Sequence, residues 1–192
     1  MNRKHNGIVI QLAVLLWVVT LAYTSICVSA ENAFEVRSAE TVVVDNIYYL
    51  NAHIDYQLSN EAREALQNGL PLNIVLDIEV AKKRGLLWNK EIVHLKQRYQ
   101  IRYYALIQQY HVINVNSGLQ HSLPTLAVAT SILGTIVDLP LFDAMLIDAD
   151  SDYEISLRSR LDTESLPMPV RLSTYFSSGW DLSSGWYRWS LR

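Results

Sequence analysis

Residues 41–58 read TVVVDNIYYLNAHIDYQL, and their parity decides the fold. Leu50, Ala52, Ile54, Tyr56 and Leu58 take the even positions, while the polar Asn51, His53, Asp55 and Gln57 take the odd ones. A period of two is the repeat of a strand with one buried face. The preceding Asp45-Asn46 tolerates the positive φ of a two-residue hairpin turn, so VRSAETVVV (36–44) becomes the partner strand. Val44 then faces Ile47, and Ala39, Thr41 and Val43 share a side with Leu50, Ala52 and Ile54.

Working outward, SNEAREALQNGLP (59–71) switches period: Ser59 or Asn60 caps a short helix, Ala62, Ala65 and Leu66 line one face, and Gly69 with Pro71 stops it. Alternation resumes in PLNIVLDIEV (71–80) and is longest in EIVHLKQRYQIRYYAL (91–106). There Val93, Leu95, Tyr99, Ile101 and Tyr103 face inward, and His94, Lys96, Arg98, Gln100 and Arg102 face out. YHVINVN (110–116) continues the strand pattern. SLPTLAVATSILGTIVD (122–138) reads as a second helix, with Leu126, Ala129, Leu133 and Ile136 as its stripe. DYEISLRSRLD (152–162) is again a strand, ESLPMPVRL (164–172) a Pro-broken connection, and the Trp-rich tail a final strand. About seven strands with two short connecting helices predict a mainly β domain. The expected architecture is an antiparallel β-sandwich of Ig-like or Greek-key type, with a curved antiparallel α+β sheet as the alternative.

The chain opens MNRKHNGIVIQLAVLLWVVTLAYTSICVSAEN (1–32), with Arg3 and Lys4 ahead of an apolar run from Ile8 to Val28 and small residues at Ser29 and Ala30. That is the order of a secretory signal, with cleavage expected before Glu31 and a single exported domain over 31–192. The run exceeds the usual ~7 to 15 residues and approaches the ~20 that span a bilayer, so an uncleaved N-terminal anchor is the alternative. The expected location is the periplasm, free or tethered to the inner membrane, with membrane contact only through that segment. Cys27 is the only cysteine, and Ile26 before it denies the small residue that lipid attachment requires. Without Cys27 the exported part has no disulfide and must hold together by its core. The formal net charge is −3, and losing Arg3 and Lys4 makes the remainder more acidic still, which argues against nucleic acid as a partner.

Chemistry is sparse. The outward row His94, Lys96, Arg98 and Arg102 could grip an anion, but outward Asp55, Asp77 and Glu79 supply opposite charges for cross-strand pairs. DADSD (148–152) has the alternate carboxylates of a calcium loop, yet Tyr153 stands where that loop needs Gly and Ser159 where it needs Glu. There is no G-x-S-x-G and no H-E-x-x-H, and His53, His94, His111 and His121 lie apart. No enzyme, metal or cofactor is expected; a hydrolase would need a cleft gathering His94 or His111 with carboxylates. Eight tyrosines (48, 49, 56, 99, 103, 104, 110 and 153) fall in predicted strands, where core and rim packing accounts for them.

The tail SSGWDLSSGWYRWSLR (177–192) nearly repeats SSGW and holds three of the five tryptophans. On a bent last strand, Trp186 and Trp189 point to opposite faces, one sealing the sandwich, while Trp180 tucks the preceding turn. The competing reading makes Trp180, Trp186 and Trp189 a platform for a small ligand or glycan.

The order HIDYQLSNEAREALQNGLPLNIVLDIEV, LKQRYQIRYYAL, YHVINVNSG and YEISLRSRLDTESLPMPVRLSTYFSSGWDLSSGWYRWSL resembles domain-of-unknown-function family 4390, exported proteins of Gram-negative bacteria. Leu-Pro-Met-Pro at 166–169 and the Trp-rich close are its most specific parts. The resemblance implies an exported single domain and carries over no catalytic residues. It also implies a link to a nitrogen-regulation type sensor histidine kinase, whose gene neighbours those of the family. The expected function is therefore a noncatalytic periplasmic interaction domain that binds an envelope protein, with Trp180, Trp186, Trp189, Arg98 and Arg102 as binding residues.

Overall fold

A computed structural model describes residues 33–191 except 86, 87, 149, 175 and 176. The leader expected at 1–30, with its cleavage site or anchor, lies outside the described residues. No helix among them is long and apolar enough to cross a membrane.

The predicted hairpin forms as read. Strands β1 (Phe34–Val44) and β2 (Ile47–Tyr56) pair antiparallel with Val44 opposite Ile47, Thr41 opposite Leu50 and Ala39 opposite Ala52. Asp45 and Asn46 take φ of 47° and 66° in the turn. Helix α1 (Asn60–Gln67) follows, capped by the Ser59 hydroxyl accepting from Ala62 N–H at 3.0 Å. Then come β3 (Leu72–Lys82), β4 (Lys90–Tyr104), β5 (Gln109–Asn114) and β6 (Gln120–Leu123), a meander of antiparallel neighbours.

Helix α2 spans only Leu126–Gly134, capped by Thr125, and passes directly into β7 (Thr135–Asp143). The helix expected over 122–138 thus gives way to strand at its last four residues. Ile136 is buried as expected, but as a strand residue. The remaining elements are β8 (Tyr153–Leu161), α3 (Met168–Thr174) and β9 (Tyr187–Ser190). Residues read as a Pro-broken connection thus contain α3, with Pro167 and Pro169 at its start, where a missing N–H costs nothing.

Among the described residues, nine strands form two antiparallel sheets, one ordered β1-β2-β7 and one ordered β6-β5-β4-β3-β8-β9. They pack face to face as an open, mainly β sandwich. Phe34, Leu50 and Ile54 come from the first sheet; Leu72, Ile74, Leu76, Ile78, Val80, Ile101, Ile155 and Leu157 come from the second. Ala62 and Leu66 of α1 and Ala129 and Leu133 of α2 complete the core.

A buried polar bond crosses it: the hydroxyls of Tyr56 on β2 and Ser159 on β8 lie 2.9 Å apart. Burial raises the phenol pKa, so Tyr56 stays a neutral hydrogen-bonding group. Tyr56→Phe leaves the Ser159 hydroxyl without this partner and should cost about 1–2 kcal/mol in urea unfolding. Adding Ser159→Ala should recover part of that loss; if the double variant is as weak as the sum of the two singles, the bond is not the cause.

The tail runs antiparallel along β8. Leu161 N–H donates to Leu182 O at 2.8 Å, and Ser184 N–H to Ser159 O at 2.9 Å. Arg160 bridges to Ser183 and Leu157 pairs with Tyr187, so Arg158 alone faces both Gly185 and Trp186. Gly185 adopts φ 67°, the left-handed residue of a bulge of this kind. The two SSGW copies therefore differ: the first is a 3-10 turn that buries Trp180, and the second is an edge segment that kinks.

Candidate functional site

Strand alternation leaves the odd residues of β3 on the outer face of the six-stranded sheet, beside the even residues of β4 and β8. The register sets two rows across three strands. Arg158, Asp77 and Lys96 form one, and Arg160, Val75 and Arg98 the next. Four cations thus share these two rows with one carboxylate.

Asp77 is almost fully enclosed, its side chain 3% exposed. Its Oδ2 accepts from Arg158 Nη2 and Arg160 Nε, each at 3.1 Å. Its Oδ1 lies 4.0 Å from Lys96 Nζ and from His94 Nε2, without a hydrogen bond among the described residues. Burial pushes the Asp77 carboxyl up, but the bonds from Arg160 and Arg158 and their charges outweigh it and hold the pKa below the usual carboxylate range. The guanidiniums keep donors in reserve. Arg158 Nε is buried without a partner, and Arg98 makes no ion pair among the described residues. One carboxylate does not neutralise these four cations, so these two rows favour an anion, while Glu79 and Glu154 stand further along the same face.

A cleft of about 560 Å³ opens beside the cluster, lined by Arg158, Arg160, Thr163, Thr174, Asp181 and Ser183 and backed by Trp180. The bulge at Gly185 turns the Trp186 ring onto this face, where the Arg158 guanidinium sits 4.4 Å from the ring centre.

Of the five residues read from sequence as binders, Arg98, Arg102 and Trp186 share this face. Trp180 is buried in the core behind the cleft. Trp189 packs inward against the core, its Nε1 3.5 Å from the Thr41 hydroxyl. Arg102 lies about 13 Å from Arg98 along β4, with its guanidinium 5.9 Å from the Tyr104 ring. The three tryptophans therefore do not make one platform. Asp77 and Glu79 do oppose the β4 row, facing Lys96 and His94. Asp55 does not: β2 belongs to the other sheet, and Asp55 accepts from Arg37 Nε at 2.6 Å. The sequence reading missed Arg158 and Arg160. Their signal was the R-S-R alternation in β8, but which strand neighbours β8 is set by long-range pairing.

Other groups are less organised. Asp148 of the acidic turn pairs with Lys82 at 2.9 Å. Glu79, Glu91 and His94 bring ligand atoms within 4.8 Å of one another on the half-open face and could hold a cation. In the row Ser156, Glu79, His94 the carboxylate stands between hydroxyl and imidazole, which sit two strand spacings apart, about 10 Å. Ser122 Oγ lies 3.2 Å from His111 Nε2, and the Gln120 amide lies 2.6 Å from Nδ1.

Fold and face together define a class: an open antiparallel sandwich presenting a cation-rich sheet face with a small cleft at its edge. Residues 31–190 match the family described as Domain of unknown function (DUF4390), and the chain belongs to that family. No curated protein and no solved structure matches it.

Proposed function

We propose that this chain is an exported, noncatalytic interaction domain that docks an acidic segment of an envelope protein on the outer face of its six-stranded sheet. The observation that carries the reading is the pair of cross-strand rows that gather Arg158, Arg160, Lys96 and Arg98 about the single carboxylate of Asp77. A buried acid that orients arginines while leaving donors unspent pre-organises them for carboxylates. The noncatalytic part is supported by the row Ser156, Glu79, His94, whose hydroxyl and imidazole stand two strands apart, out of hydrogen-bond reach. The leader supports a periplasmic location, cleaved or held at the inner membrane. The family's link to a sensor histidine kinase makes the extracytoplasmic part of such a kinase the first partner to test.

Arg98→Glu is the clean variant, because Arg98 has no ion pair to lose among the described residues. Titration of the kinase's extracytoplasmic part should show affinity at least tenfold weaker for the variant and falling with salt for both proteins, since exposed charge pairs are screened. Unfolding should change by less than about 0.5 kcal/mol. Binding indifferent to both salt and Arg98→Glu would sink the proposal.

A second reading, a small acidic sugar or cell-wall fragment, is favoured by the cleft, whose volume of about 560 Å³ suits such a ligand. Tryptophan emission separates the two: Trp180, which backs the cleft, should respond to cell-wall fragments only if that cleft is the site.

A further inference from the structure

We infer that the tip of the β4–β5 hairpin is a lipid-contacting apex that rests in an anionic bilayer surface. The tip is Ala105-Leu106-Ile107-Gln108. Leu106 is wholly exposed and Ile107 57% exposed, and the turn is closed by Ile107 N–H donating to Tyr104 O at 3.3 Å. A closed turn keeps the two apolar side chains outside the core.

The residues behind the apex are layered as a membrane interface is. Next come the rings of Tyr103 and Tyr110, 4.7 Å apart, and Tyr104, which packs 4.4 Å from His111. Behind them Arg102 lies 5.9 Å from the Tyr104 ring, its Nε without a partner among the described residues. Apolar apex, aromatic collar and cation correspond to acyl chain, headgroup boundary and phosphate. Charge agrees: between Glu91 and Asp138 the sequence has no acidic residue, although the whole chain is net negative. A segment so cleared of carboxylates is not repelled by anionic headgroups.

Chain direction supplies the second argument. Tyr56, opposite Phe34, bonds Ser159, while Thr41 meets Trp189, which is paired with Ile155. Strand β1 therefore runs against β8 and hence with β3, while β4 runs the other way. The start of β1 and the end of β4 lie at the same end of the sandwich. Ala33, whose carbonyl accepts from Gln57 N–H at 2.6 Å, thus brings the chain into the domain on the tip's side. In the sequence the apolar run Ile8–Val28 stands shortly before it.

The test uses the full-length gene product with Cys27→Ser, isolated as the cell leaves it, and a nitroxide on Ala105→Cys or, as control, Glu40→Cys. With vesicles of phosphatidylethanolamine and phosphatidylglycerol, the label at 105 should lose several-fold of its accessibility to an aqueous relaxing agent, while the label at 40 keeps its own. Leu106→Ser with Ile107→Ser should abolish that protection without lowering the melting temperature, since both side chains are exposed. A label at 105 as accessible with vesicles as in buffer overturns the inference, whether the domain stays in solution or hangs from its leader. So does protection that survives the double serine substitution. Neither outcome touches the Arg98 experiment, which reads a different face.

Discussion

Gly134→Ala should lower stability by about 3 kcal/mol, overpacking at its upper range, and melting by roughly 6–12 °C. Gly134 is the last residue of α2 and is buried where the helix turns directly into β7. A Cβ there would collide with the carbonyl oxygen of Ile54, lie 3.1 Å from its carbon and approach the Tyr56 ring at 3.5 Å. The obstacle is backbone in the central strand of the three-stranded sheet, so no rotamer change relieves it. Either α2 lifts off β2 or the β2–β7 pairing opens, and both loosen the core. By contrast, a Cβ at Gly179 meets the flexible end of Glu61, which can swing away. Thermal unfolding followed by circular dichroism checks the prediction; a shift below about 2 °C would show that the helix is not pinned at this contact.

Asp77→Asn should cost about 3 kcal/mol at neutral pH, because removing the acid from a buried cluster leaves its cations unpaired. Arg158 and Arg160 are about a third exposed and can relax into water, which keeps the cost from rising further. The pH dependence has a definite sign. The folded pKa of Asp77 lies below its unfolded value, so its contribution is full above about pH 4 and is lost as pH falls through the folded value. Urea unfolding of both proteins from pH 7 to pH 3 should therefore show the gap closing toward the acid end, where the native carboxyl itself becomes neutral. A gap that stays constant would assign the loss to packing rather than charge.

What was legible in the sequence was local. The β1–β2 register followed from Asp45-Asn46 and parity alone, and the inward set of β4 followed from alternation. Strand β7 was hidden because ILGTIVDLPLFD lacks a period-two signal. Pro140 argues against a strand, and Asp138 takes a positive φ of 48° to bulge past β2 while its N–H bonds Asn51 Oδ1 at 2.8 Å. Gly134 was the available stop signal for α2. The Asp77 cluster was half legible: polarity placed Asp77 and Lys96 on an outward face, but the arginines that bond Asp77 come from a strand some 80 residues later. Long-range strand order leaves little local trace. The tail was legible once its glycines were taken as bends, since the bulge at Gly185 sets Trp186 and Trp189 on opposite faces.

An open sandwich carries a hazard that a closed barrel avoids, because unpaired border strands invite other chains to add on. Here each border is blunted. β6 and β9 are four residues each, too short to template a long partner. β7 is interrupted by Pro140 and its bulge, and β1 shifts register between Val36 and Ser38 and is met by Trp189. Strand donation is thus discouraged on all four sides. What the molecule leaves free for recognition is breadth rather than rim: side chains on a flat face, whose attraction can be tuned by charge and reversed without unzipping any backbone.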